Sequence, residues 1–166
     1  MTILGISVGT TRTGMCILKD EILVDRRTHD YRRMWSDAKL RIIIRDYRHY
    51  ILKYNVTAII VKISPLKKHT PALRQVLKRL ERLAAEYNMP FDLITKTELK
   101  SITGTRSTNE LIDYTRRLYP ELNVLFDKGV SNEHSYNKKV FEAVLSAYVF
   151  QEKQRVRALQ MERAMQ

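Results

Sequence analysis

The chain has a single cysteine, Cys16, which excludes an intramolecular disulfide framework. Cys16 stands in an apolar stretch, where a buried and inert thiol is expected. No run approaches the roughly 18 consecutive apolar residues of a membrane helix. No signal-peptide pattern precedes the first strand, so a cytoplasmic setting without a membrane partner is expected. Internal repeats, low-complexity segments and linkers are all missing. Negative charge is also scarce. Eighteen Asp and Glu face thirty Lys and Arg, leaving a formal net charge of +12. Such an excess favours polyanions through counterion release and long-range attraction. A merely soluble basic protein is the alternative.

With 166 residues and 44% apolar content, one domain with a proper core is expected over 1–166. The pattern predicts strands over about 2–8, 13–19 and 21–28, with Lys19-Asp20 as the hairpin turn. A helix over about 34–54 carries Leu40, Ile43, Ile44, Tyr47, Ile51 and Tyr54 on one stripe and ends at Asn55. Val56 to Ile63 is nearly continuous in apolarity, as a central buried strand should be, and Pro65 stops it. Thr70-Pro71 opens a second helix, with Leu73, Val76, Leu77, Leu80, Leu83, Ala84 and Tyr87 at helical spacing. Phe91 to Ile94 reads as a short strand. Ser107-x-x-Glu110 is a capping box that opens a further helix. Tyr119 to Tyr136 has no clear period and reads as a long loop. The last helix is expected from near Asn137, with residues from about 152 to 166 frayed or projecting. This order makes an α/β domain around one mixed sheet.

Three segments carry a family resemblance. The first is Ile3-Leu4-Gly5-Ile6-Ser7-Val8-Gly9-Thr10-Thr11-Arg12-Thr13-Gly14-Met15-Cys16-Ile17-Leu18, a strand, a Gly-containing turn and a second strand. The second is Glu98-Leu99-Lys100-Ser101-Ile102-Thr103-Gly104-Thr105-Arg106. The third is Glu142-Ala143-Val144-Leu145-Ser146-Ala147-Tyr148. With the element order, they resemble the ribonuclease H-like superfamily, and within it the RuvC-type Holliday-junction resolvases of DNA recombination. The resemblance implies a five-stranded mixed sheet, its first three strands antiparallel, flanked by helices. It also implies a homodimer involving the helix after the central strand.

Members of that family cut phosphodiesters with two metal ions held by four carboxylates. Carried over residue by residue, those acid positions fall on Ser7, Lys62, Lys139 and Glu142. Two lysines and one glutamate leave a formal charge of +1 where four carboxylates would stand. The resemblance therefore implies a pseudo-nuclease to which no catalytic residue is assigned, with no cofactor and no metal ligand unless Glu142 is one. Lysines in place of the ions would still attract phosphate but would not generate hydroxide. For Lys62 a strand-end lysine snorkelling into solvent is the plainer reading. For Glu142 it is a pairing partner to Lys62 or Lys139.

Branched or duplex DNA is the expected partner. Candidate contacts are Lys62, Lys139, Arg12, Lys67 and Lys68 before a helix N-terminus, and Lys100 and Arg106, with Lys96, in the second segment. Arg32 and Arg33 lie in a stretch that mixes cations with aromatics and reads either as a stacking patch or as a connection whose Trp35 is core. Arg74, Lys78 and Arg82 read as a solvated helix face, and Lys153, Arg155 and Arg157 are tail cations. Three other readings stand beside this one. The first is an active junction endonuclease using Mg2+ or Mn2+ through Glu133, His134, Asn137, Asp20 or Glu21. The second is an ATPase lobe built on Val8-Gly9-Thr10-Thr11, and the third a scaffold with no nucleic-acid role.

Overall fold

A computed structural model describes the backbone of residues 1–9, 12–30, 34–127 and 131–166, and their side chains except at 126, 127 and 131–136. Five strands form one sheet: β1 (Thr2–Ser7), β2 (Arg12–Lys19), β3 (Ile22–Asp30), β4 (Ala58–Ile63) and β5 (Phe91–Thr95). Their order is β3-β2-β1-β4-β5. β1, β2 and β3 pair antiparallel, while β4 and β5 run parallel to β1. The β2–β3 turn is Asp20-Glu21, both at positive φ, one residue later than the spacing suggests. That is the backbone of a type I′ hairpin turn.

Among the described residues six α-helices accompany the sheet: α1 (Asp37–Tyr54), α2 (Pro71–Glu86), α3 (Lys96–Thr103), α4 (Thr108–Leu118), α5 (Asn123–Asp127) and α6 (Ser131–Ala164). Strand parity decides which side chains each face presents. Leu4, Ile6, Met15, Ile17, Ile59 and Val61 point to one side, where they pack with α1 and α2. Ile3, Cys16, Leu18, Ala58, Ile60 and Ile94 point to the other, where α6, α3 and α4 cover them. Of the α2 stripe, Leu73, Val76, Leu80, Leu83 and Ala84 are buried in the chain's own core. Cys16 is fully buried, and burial pushes its thiol up to about 12.

The caps follow the sequence. Ser36, Thr70 and Ser107 each accept from the backbone N–H three residues on, and Asn55 closes α1 in the left-handed region. One further expectation fails. Tyr119 to Tyr136 is not a long loop: a single 3-10 turn (Pro120–Leu122) leads into α5, and α6 already begins at Ser131 rather than near Asn137. Elements of three and five residues are too short to display a period. α3 is a helix that leaves β5 without a connecting loop. α6 continues to Ala164, and every residue from Arg155 on is exposed. Among the described residues no helix is long and apolar enough to cross a membrane.

Candidate functional site

The site forms where the carboxyl ends of β1, β4 and β5 meet α6. Ser7 ends β1 and lies beside Lys62 of β4 in the parallel register. Ser7 has the parity of Ile3 and Lys62 that of Ala58 and Ile60, so both face α6. α6 lies directly on the sheet because of two glycines. A Cβ on Gly5 would come 2.5 Å from the carbonyl oxygen of Ala143, and a Cβ on Gly14 would run into the backbone of Lys139 and Val140. This seating presents Glu142 and Lys139, one helical turn apart on α6, to the strand ends.

Glu142 is 2% exposed, and both its carboxylate oxygens are engaged. Oε2 accepts from the Ser7 hydroxyl at 2.8 Å and meets the Lys62 ammonium at 2.9 Å. Oε1 meets the Lys96 ammonium at 3.2 Å. Burial alone would raise this carboxyl. Lys62, Lys96 and the Ser7 hydroxyl overcome that and bring it down to about 2. Lys96 opens α3, directly after its N-cap Thr95, where a cation opposes the helix dipole. Burial and the nearby Lys138 lower the pKa of Lys96, against the pull of Glu142. Burial and Lys62 likewise lower that of Lys139. The Lys139 ammonium donates to the carbonyl oxygen of Val8 at a long 3.5 Å. Four lysines (62, 96, 138 and 139) thus gather about one carboxylate, a formal excess of three positive charges.

Glu142 thus pairs with Lys62, one of the two partners expected for it. Lys62 is a partner and does not snorkel outward, but the second partner is Lys96, not Lys139. The sequence did signal it. Thr95-x-x-Glu98 is a capping box, and Thr95 accepts from the Glu98 N–H at 3.2 Å. Reading it would have placed Lys96 at the end of β5, beside Lys62. Lys138 went unnamed because it is not one of the carried-over positions.

Arg12, at the start of β2, stands at the same end of the sheet as Ser7. Lys67 and Lys68 are exposed in the 3-10 turn after β4. Lys100 follows Lys96 by one turn, whereas Arg106 lies beyond the far end of α3, about 12 Å along that helix at a 1.5 Å rise per residue. Arg32 and Arg33 lie outside the described residues. Trp35 is partly buried against the core and donates to Gln75 Oε1 at 2.9 Å. Asp20 and Glu21 sit at the opposite end of β2 from the site, with Asp20 bound to the Met1 ammonium at 2.8 Å. They are not near Ser7. The side chains of Glu133 and His134 lie outside the description.

These residues do not fit a pair of divalent cations. Protonated lysines have no lone pair to give, and both oxygens of the one carboxylate are already engaged. Among the described residues no group of three or more His, Cys, Asp or Glu is placed to hold a metal. What the cluster can do is neutralise an anion.

No protein-family model matches the chain, and no curated protein matches it. Solved structures do. RuvC of T. thermophilus in complex with a Holliday junction substrate matches with a TM-score of 0.69 at 13% identity, over 89% of this chain and 90% of that one. A second structure of Thermus thermophilus RuvC gives 0.67 at 14% identity, over 89% and 91%. The chain is thus similar to RuvC along nearly its whole length and has the ribonuclease H-like fold, with a lysine-bound glutamate at the carboxyl end of its sheet.

Proposed function

We propose that this protein binds branched or duplex DNA at the carboxyl end of its sheet and does not cut it. One observation carries the reading: a single carboxylate, Glu142, is held by Ser7, Lys62 and Lys96 with further lysines in excess beside it. Glu142 fixes Lys62 and Lys96 in place and cancels part of their mutual repulsion. The uncancelled charge, from Lys138 and Lys139, faces a backbone phosphate. Arg12, Lys67 and Lys68 extend the positive surface across the same end of the molecule. No group in the cluster supplies a hydroxide, so the phosphodiester is gripped and left whole. The likeness to RuvC, one structure of which holds a Holliday junction substrate, favours a branched ligand, as does the net charge of +12.

Binding of a fluorescent four-way junction and of a linear duplex, titrated with salt, tests this. The logarithm of the affinity should fall with the logarithm of the salt concentration, by about 0.9 per phosphate engaged. Lys138→Ala and Lys139→Met should each weaken binding and reduce that slope by about one. A slope near zero would instead favour a scaffold protein.

A further inference from the structure

From Arg155 to Ala164, α6 leaves the domain with every residue exposed, although it carries apolar side chains. Val156 is 45% exposed, Leu159 46% and Met161 68%. Between this projection and the α3–α4 region lies a groove of about 570 Å³, lined by Ile102, Tyr114, Tyr148, Val149, Val156 and Gln160 among others. Ile102 is itself half exposed. One face of the helix continues the spacing of a coiled-coil seam: Val149, Glu152, Val156, Leu159 and Arg163, at alternating steps of three and four. A charged residue at each end of the exposed seam would be a defect against most partners. It is not a defect against an antiparallel copy of the same helix.

We propose that the projecting part of α6 pairs antiparallel with the same segment of a second copy of this chain. Place a two-fold axis between Arg157 and Ala158. Val156 of each copy then faces Leu159 of the other, and Glu152 of each faces Arg163 of the other. On the flank, Arg155 comes opposite Glu162 of the second copy. The seam charges that meet across the axis are of opposite sign, and the two apolar residues meet each other, while Arg157 and Lys153 stay on the outer flank. A two-fold interface is self-complementary, so each favourable pair occurs twice. Glu152 accepts from Arg155 of its own chain at 2.8 Å and has a second oxygen for the incoming arginine. The incoming helix runs back towards the domain and covers the groove beside Tyr148 and Val149. This surface lies on the opposite face of the sheet from the α2 stripe.

Sedimentation equilibrium of the full chain up to about 100 µM tests the pairing. The wild type should show a concentration-dependent dimer. Val156→Glu with Leu159→Glu should abolish it while the melting temperature of the dilute monomer stays unchanged, since both side chains are exposed there. Glu152→Arg and Arg163→Glu should each weaken the dimer about five- to tenfold, and the doubly reversed chain should recover it. A wild type that remains monomeric overturns the proposal. So does a dimer indifferent to the Val156 and Leu159 changes, which would place association on another face. So does a monomer whose DNA affinity falls with Arg157→Ala, which would give the helix to nucleic acid instead.

Discussion

Taking the charge from Glu142 leaves Lys62 and Lys96 facing each other without a counter-ion at a buried position. Breaking one side of such an arrangement costs roughly 3–5 kcal/mol, and Glu142→Gln should lower the stability in urea by that order. The same carboxyl gives the protein a particular acid sensitivity. Its folded pKa of about 2 lies below the ordinary glutamate value of 4.5, so its contribution is fully present above about 4.5. It is lost as the pH falls through about 2, and roughly 3 kcal/mol should vanish across that window. The urea midpoint of the wild type should therefore fall more steeply between those values than that of Glu142→Gln. Lys139 should behave in the opposite sense. Burial and Lys62 disfavour its charged form in the folded protein. Lys139→Met should thus stabilise the fold by roughly 0.5–2 kcal/mol while weakening DNA binding, the trade-off common at functional sites. A variant both less stable and unimpaired in binding would contradict that assignment.

The site depends on two elements being seated to within a fraction of an ångström. α6 rests on Gly5 and Gly14, and a methyl at Gly14 has only helix backbone to meet. Gly14→Ala should cost roughly 1–3 kcal/mol or more and lift Lys139 and Glu142 off the strand ends, so DNA affinity should fall together with the melting temperature. Thr95→Ala should cost about 1 kcal/mol and loosen α3, which presents Lys96. Long elements were legible from the sequence because burial imposes a period: α1 and α2 through their stripes and caps, β4 through its unbroken apolar run. The short ones were harder. α5 and the 3-10 turn before it are below the length at which a face repeats, and α3 follows β5 with no intervening loop, so that only its Thr95-x-x-Glu98 capping box marks it. The seats at Gly5 and Gly14 were invisible in the same way. A glycine in a strand signals close approach, but not which element approaches.

Across the whole molecule, the fold class could be argued from the element order and the three resembling segments, and the end of the sheet where the cluster lies from the carried-over positions Ser7, Lys62, Lys139 and Glu142. Lys96 and Lys138 could not be placed so readily, because the cluster joins residues from β1, β4, α3 and α6 that are up to 135 positions apart in the chain. Only the strand register and the seating of α6 bring them together. The +12 charge then acquires a direction, since cations collect where β1, β4 and β5 end. The most direct measurement is a labelled four-way junction incubated with the full chain and manganese, with the same sample run on native and denaturing gels. A shifted band with both strands intact is the outcome expected if lysines hold the carboxylate. Nicked strands that disappear in the Glu142→Ala variant would show that Glu142 serves a metal after all, and would contradict the account.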